Sequence, residues 1–468
     1  MRNTNRVWLF ICLLLALSGT HVKNASACTD EELAATLSYS RDSYVMLLRK
    51  AESGWLYSTP IEKSKNFGKL MKARDDLRKE DARTGAKLLE TLRSLNSKHE
   101  TKILLYGDTS KGKCAWLITG SGQILSGAVS FKTGEIVTLL RDGLGVTSTN
   151  RKPRNSDECA SIQANDSSIS DEQVSAANQA LHQVPASLLP RDIATSLAND
   201  HSTKRLIIVP FGDLRSIPFA ALPLADTGLS VIDKFAVVVS PQLPFITNNS
   251  GAAPVKGKQK AGSAKYLVVG DPDLSQDTKD CWAPLPHALE EAKYVAQRVG
   301  DAKLLLGKEA TFDSVKANLG NNAGSLKLIF FATHGVSDEV DPADKSFLAL
   351  KGSHLRGSDI RKLKMALTEK PIVVMSACQS GLGKTFPQGM FGLIEVWRNA
   401  GASQIIASLW NVDDEGTGKL MKNFVDLLAE SGFDDAEFAM AKAMRDVRKT
   451  NPHPLIWASF NVFGEPTR

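Results

Sequence analysis

The sequence predicts an α/β fold: a mostly parallel sheet flanked by helices, preceded by a small N-terminal helical region. Three observations carry that prediction. Strongly apolar runs recur from residue 205 onward, too uniformly apolar for strands with one wet face. Helical patterns lie between several of them, as in a sheet covered on both sides. Two runs end in a polar residue with glycine close behind. They are Leu326-Lys-Leu-Ile-Phe-Phe-Ala-Thr-His334-Gly335 and Pro371-Ile-Val-Val-Met-Ser-Ala-Cys378-Gln-Ser-Gly381. Were these strands parallel neighbours, both side chains would emerge at the carboxyl edge, where open α/β sheets bind ligands.

The N-terminus stands apart from the rest. Arg2 and Arg6 precede the apolar run Val7-Trp-Leu-Phe-Ile-Cys-Leu-Leu-Leu-Ala-Leu17, and Ala25-Ser26-Ala27 has the small residues of a cleavage site. Residues 1–27 are therefore expected to be a signal peptide cut after Ala27, giving a secreted or periplasmic protein. The apolar run is short beside the roughly 20 residues of a membrane span. Cys28 after the cleavage site raises a lipid-attachment reading, which the polar stretch Thr20 to Asn24 opposes.

The whole chain of 468 residues is long enough for two or three domains, and 43% hydrophobic and 23% charged residues are ordinary for a soluble globular protein. Loss of residues 1–27 removes Arg2, Arg6 and Lys23 and no acid, so the formal charge falls from +6 to +3. That is too weak for a nucleic-acid partner, and no basic patch with interleaved aromatics exists. The mature chain keeps Cys28, Cys114, Cys159, Cys281 and Cys378. An odd number leaves at least one thiol unpaired in an oxidising compartment, and Cys378 is the natural one. The pairing of the other four stays open. With no Cys-x-x-Cys spacing, no metal is expected, and nothing calls for a cofactor.

Along the mature chain, 28–100 reads as helical, from Glu31 to Lys50 and from Pro60 to about Ser97, without a convincing 34-residue repeat. Strand patterns begin at Thr101: Ile103–Tyr106, Cys114–Thr119 and Gln123–Phe131, separated by turn residues. Residues 147–175, rich in Ser, Asn and Asp, read as a surface loop. Apolar strands follow at Arg205–Pro210, Phe235–Ser240 and Tyr266–Gly270, then at the His334 and Cys378 runs and Ser403–Trp410. Helices are expected at 287–299, 312–319 and 389–400. Residues 247–265 form a polar loop rich in glycine and lysine, suited to solvent or to proteolytic processing.

Gly381-Leu-Gly383-Lys384-Thr385 resembles the end of a phosphate-binding loop. The full pattern needs glycine where Cys378 stands, and it must open into a helix, whereas Phe386-Pro387-Gln388-Gly389 reads as loop. Nucleotide binding is rejected. A lone cysteine or histidine at a strand end is usually just buried. Here a thiol and an imidazole end successive apolar strands, which makes them candidates for a nucleophile and its base. With Gly335 beside the histidine and Gly381 three residues after the cysteine, a backbone N–H next to the nucleophile and that of Gly335 stay accessible to an oxyanion.

These segments resemble the CHAT domain, a caspase-like peptidase family of the clan that includes caspases, separases, gingipains and legumain. The likeness rests on ordered blocks over about 101–468: Leu206 to Leu222, Val268 to Asp273, Ala332-Thr-His-Gly335, Ser376-Ala-Cys-Gln-Ser-Gly-Leu-Gly383, Gly401 to Asp414 and His453 to Phe460. The resemblance implies a caspase-like sheet with His334 and Cys378 as the catalytic dyad. It implies a protein or peptide substrate, with the backbone N–H groups of Gly335 and Cys378 holding the oxyanion. His354, His287 and His453 are alternative imidazoles, but none follows a strand into a glycine, and His453 reads as part of a surface His-Pro turn.

The Ser403–Trp410 strand should lie beside the Cys378 strand and runs into Asn411-Val-Asp413-Asp414-Glu415. Asp413 is the candidate for a pocket that takes a basic P1 side chain, as in the Arg- and Lys-directed members of the clan. Asp414 is the candidate cap of a helix beginning near Thr417. The chain departs from the family where Gln388 replaces the glutamate of a Gly-Glu-Gly motif, in its lack of recognisable tetratricopeptide repeats, and in its signal peptide. The expected protein is an exported cysteine endopeptidase with no membrane span after cleavage. The alternative is a silent or latent CHAT module that recruits a regulatory protein through its N-terminal helices.

Overall fold

A computed structural model describes residues 28–37, 89–90, 100–109, 112–130, 133–144, 170–224, 227–240, 265–277, 282, 285–322, 325–338, 341–362, 370–377, 380, 383–386, 389–410 and 414–464. The strands begin with β1 (Thr101–Thr109), β2 (Gly112–Ile118), β3 (Ile124–Ala128), β4 (Arg205–Val209) and β5 (Ala236–Val239). β6 (Tyr266–Pro272), β7 (Ala302–Gly307), β8 (Leu328–Ala332), β9 (Gly335–Val336), β10 (Phe347–Leu348) and β11 (Leu355–Arg356) come next. The last five are β12 (Ile372–Ser376), β13 (Gly383–Phe386), β14 (Gly389–Gly392), β15 (Gln404–Ser408) and β16 (Phe460–Gly464). The helices used below are α1 (Asp171–Gln183), α2 (Pro286–Val299), α3 (Phe312–Asn322), α4 (Leu393–Asn399), α5 (Asp414–Glu430) and α6 (Ala436–Thr450).

Among the described residues, eleven strands form one sheet in the order β3-β2-β1-β4-β5-β16-β15-β12-β8-β6-β7. The neighbours β15, β12, β8, β6 and β7 are all parallel to one another. β16 runs against β15 and with β5, which is parallel to β4 and β1. The mostly parallel α/β sheet expected from the apolar runs is the observed fold. Every residue of β4, β5, β8, β12 and β15 is buried, as strands covered on both faces require.

Local sequence explains the main helices. Ser170 and Gln173 make a reciprocal capping box that starts α1. Pro286 opens α2, and Gly300, in a left-handed conformation (φ 69°), ends it. Ala436, Ala439, Met440, Ala443, Met444 and Val447 put a buried stripe on α6 at helical spacing. α2 crosses β6 so closely that a Cβ on Gly270 would lie 2.2 Å from the Cβ of Ala292. Glycine is required there for the helix to lie on the sheet near its carboxyl edge.

Several element boundaries differ from expectation. α1 begins at Asp171, so the last residues of the loop expected at 147–175 are helical. The helix expected at 389–400 splits: Gly389–Gly392 is strand β14 and only Leu393–Asn399 is helix. Gly383–Phe386 pairs with β14 as a hairpin, so the Gly-Lys-Thr stretch opens into strand rather than helix, as rejection of nucleotide binding requires. The 247–265 loop lies outside the described residues except for Lys265, and residues 1–27, the expected signal peptide, lie wholly outside them. No helix of the described residues is long and apolar enough to cross a membrane.

Of the expected N-terminal helices, residues 30–37 and 89–90 are described, and these are helical. Leu33, Leu37 and Leu89 are buried with Ile103, Leu105, Trp116, Ile118, Ile207 and Val209 of β1, β2 and β4, in a cluster separate from the main core. A disulfide joins Cys28 to Cys114 of β2 across a sequence separation of 86. Cys28 is thus spent on a crosslink rather than on a lipid. A bridge over a segment this long restricts the unfolded chain strongly. Replacing both cysteines by serine should lower unfolding free energy by about 2–5 kcal/mol in urea titrations; an unchanged midpoint would refute this anchoring role.

Candidate active site

The pairing of β8 with β12 sets the site. Ala332 lies opposite Ser376, and the Thr333 N–H donates to the Ser376 carbonyl at 3.2 Å. His334 stands two residues past Ala332 in sequence, and Cys378 two residues past Ser376. The matched register therefore leaves the same number of residues between the last ladder pair and each of them in sequence. Cys378 and Asp413 lie outside the described residues.

The backbone around His334 is held from both sides. The Thr333 hydroxyl donates to the Ala349 carbonyl at 2.8 Å, and the Ala349 N–H donates to the His334 carbonyl at 2.9 Å. Gly335 then faces Leu348 in the ladder between β9 and β10. Because the Ala349 N–H bonds the His334 carbonyl in the neighbouring pair, Gly335 and Leu348 are the non-hydrogen-bonded pair, and the Gly335 N–H points away from β10.

The segment leaving β6 supplies the imidazole with a neighbour. Asp271 takes a left-handed backbone (φ 41°) where the register of β6 against β7 shifts between Gly270 and Pro272. Such a kink turns the chain out of the sheet beside β8. Asp273 anchors the stretch after the kink, accepting from the Ser275 hydroxyl at 2.6 Å and from the Lys351 ammonium at 2.9 Å. Those two donors hold its carboxyl down at about 2. Further along, Trp282 packs on His334 with ring centroids 5.0 Å apart. The Trp282 Nε1–H donates to the Asp277 carboxylate at 2.9 Å, and His354 Nε2 lies 3.4 Å from the same oxygen. Phe347 stacks on His354 at 4.2 Å and meets Trp282 edge-on.

On the cysteine side, Ser408 at the end of β15 bonds to residues that flank Cys378 in sequence. The Ser408 hydroxyl donates to the Ala377 carbonyl at 2.6 Å and lies 3.2 Å from the Ser380 N–H, while the Ser408 N–H donates to the Ser380 hydroxyl at 3.0 Å. β15 pairs with β12 on the side away from β8, the position expected of the strand that leads to Asp413. α5 begins at Asp414, three residues before the expected start near Thr417, so Asp414 belongs to the first turn instead of capping it.

The family model for the CHAT domain matches residues 175–465, more than half of the chain. The chain belongs to the CHAT domain family. Curated relatives are tetratricopeptide repeat protein 28 of Mus musculus, 23% identical over 303 residues, and of Homo sapiens, 24% over 304. Each alignment covers 57% of this chain, and the chain spans only 12% of either relative's length. Among solved structures, the separase of the Saccharomyces cerevisiae separase–securin complex is similar over 82% of this chain and 31% of its own, with 10% identity and TM-score 0.49. The Arg-specific cysteine proteinase gingipain R is similar over 64% of this chain and 69% of its own, with 13% identity and TM-score 0.39.

Within this CHAT chain the other histidines separate clearly. His287 lies in the first turn of α2 and faces α5, its Cβ 3.8 Å from where a Cβ on Gly418 would stand. His453 is buried, 4% exposed, and its Nδ1 accepts the Leu455 N–H at 3.0 Å, so the expected surface turn is an internal helix cap. Burial holds its pKa below the ordinary imidazole value. His354, which does not follow a strand into a glycine, shares Trp282 with His334. Trp282 and Ser408 also escaped the sequence reading. A signal for Trp282 existed: a tryptophan in a polar loop directly after a strand's carboxyl end.

Trp282 gives the imidazole a spectroscopic reporter, since protonation turns the ring contact into a cation–π pair. Between about pH 5 and 8, where imidazoles titrate, the fluorescence difference between wild type and Trp282→Phe should show a step. His334→Ala should reduce it, leaving the part that belongs to His354, whose ring lies 5.8 Å from the same indole. A step untouched by His334→Ala would contradict the contact.

Proposed function

We propose that the protein is an exported cysteine endopeptidase in which Cys378 is the nucleophile and His334 its acid–base partner. One observation carries the reading: both residues stand two positions past the matched pair Ala332 and Ser376 on adjacent parallel strands. Family membership adds to it, because Ala332-Thr-His-Gly335 and Ser376-Ala-Cys-Gln are the blocks that resemble the family's dyad motifs.

In this chemistry the Cys378 thiolate attacks the scissile carbonyl carbon, and the electron pair moves to oxygen. The backbone N–H groups of Gly335 and Cys378 receive that oxyanion. The orientation of the Gly335 amide, away from β10, supports its part. As the tetrahedral intermediate collapses the C–N bond breaks, and the His334 imidazolium gives its proton to the leaving amine. Water then attacks the thioester, with neutral His334 taking its proton; the C–S bond breaks, releasing the acid and regenerating the Cys378 thiolate beside the imidazolium. Asp413, five residues beyond the end of β15, would pair with an Arg or Lys side chain at P1.

The Cys28–Cys114 disulfide supports the exported, secreted or periplasmic location, since cytosolic thiols are kept reduced. One observation favours a latent form of the same enzyme: Trp282 lies on the His334 ring, and its segment would have to shift for a substrate to approach from that face. Recruitment of a regulatory protein through the N-terminal helices has less support, because Leu33 and Leu37 are already buried against the sheet.

The mature protein, incubated with a peptide library, should cleave after Arg or Lys. Cys378→Ala and His334→Ala should each lower kcat/KM by about 10²- to 10⁴-fold, and Asp413→Asn should abolish the basic P1 preference. Cleavage that survives Cys378→Ala would sink the mechanism, whereas Cys378-dependent cleavage indifferent to P1 would remove only the role of Asp413.

A further inference from the structure

The loop that carries Cys378 is tied to the end of β15 by two buried hydroxyls, and their proton inventory closes. Ser408 is 0% exposed and Ser380 3%. The Ser408 O–H donates to the Ala377 carbonyl (2.6 Å), and the same oxygen accepts the Ser380 N–H (3.2 Å). The Ser380 O–H donates to the Met375 carbonyl (2.9 Å), and its oxygen accepts the Ser408 N–H (3.0 Å). Each hydroxyl therefore spends its single proton on a backbone carbonyl and takes one amide in return. The 3.3 Å approach of the two oxygens needs no proton of its own.

The groups so fixed flank the proposed nucleophile. Ala377 precedes Cys378, and Ser380 comes directly after Gln379. β12 has ended at Ser376, so no ladder partner is left for these backbone groups, and Ser408 takes that place from the neighbouring strand. A short serine suits this job, since its oxygen stays within reach of both a carbonyl and an amide. Ser408 is also the last residue of β15, ahead of the stretch that holds Asp413. One side chain thus joins the nucleophile's loop to the strand that feeds the P1 pocket.

We propose that Ser408, supported by Ser380, is a positioning residue that sets the backbone around Cys378 and its offset from His334. This deepens the peptidase reading and rests on it. Losing the Ser408 hydroxyl leaves a buried carbonyl and a buried amide without partners, and the loop relaxes toward other donors. Displacement of a nucleophile by about 1 Å costs on the order of 10²-fold in rate.

The test uses mature protein with Ser408→Ala, Ser408→Thr and Ser380→Ala, all assayed well below their measured melting temperatures. Ser408→Ala should lower kcat by about 10- to 100-fold while KM changes by less than about threefold. Ser408→Thr, which keeps the hydroxyl, should recover most of the loss. Ser380→Ala should lose less, because Ser408 still holds Ala377 and the Ser380 amide. In parallel, alkylation of Cys378 by iodoacetamide should slow in Ser408→Ala, with its pH midpoint displaced toward that of an ordinary thiol, about 8.5. A merely structural serine would leave that profile unmoved. Wild-type kcat and alkylation in Ser408→Ala, or no recovery in Ser408→Thr, would overturn the inference. If Ser408→Ala fails to fold, the ordering of Ser408→Thr, Ser380→Ala and wild type in the alkylation profile decides. The alkylation arm reads the clamp even if no peptide is hydrolysed, so the two readings fail separately.

Discussion

Everything proposed for this CHAT domain depends on one constraint, the parallel register of β8 against β12. Ala332 opposite Ser376 spaces His334 and Cys378 equally from the last matched pair. Strand side chains alternate with a period of two, so a slip by one residue would carry one partner to the other face and lose the pairing. Phe330 and Phe331 on one strand and Val374 and Met375 on the other are fully buried, so a slip would also misplace them. β6 on one flank and β15 on the other hold the pair from both sides.

At the sheet edge, regular pairing ends and each half of the site is steadied by a different device. The histidine side uses a second small sheet, with Ala349 bonded to both Thr333 and His334, and an aromatic cluster on top. The cysteine side uses hydroxyls, because Ser408 and Ser380 satisfy backbone groups that no strand reaches. Inside a low-dielectric interior such bonds are stronger than in water, and their loss leaves costly unpaired groups. In the proposed site, the strands would set the coarse spacing and these side chains the remainder.

Long apolar strands were legible because burial on both faces leaves no polar alternation to confuse them. β8, β12 and β15 fall within a residue or two of their expected limits for that reason. β7 and β16 were not. β7 is a sheet edge with mostly half-exposed residues and a lysine at 303. β16 contains Asn461, buried because the Ile217 carbonyl takes its amide proton, and Gly464, held at φ 130°. Neither carries the long uninterrupted apolar run that marks β8, β12 and β15. His334 could be found from the strand that points to it. Trp282 could not be tied to it, since 52 residues separate them and the contact depends on how the β6 exit folds over. Ser408 read as one more small residue in a strand; its partner lies 28 positions away.

The most direct measurement of the central claim is covalent trapping. Mature protein would be incubated with a peptidyl acyloxymethyl ketone carrying Arg at P1, and the adduct mapped by tryptic mass spectrometry. The account predicts a single thioether on Cys378, formed at a rate that falls about 10²-fold or more in His334→Ala. Labelling of Cys159 or Cys281 instead, or labelling of Cys378 at an unchanged rate without His334, would contradict it.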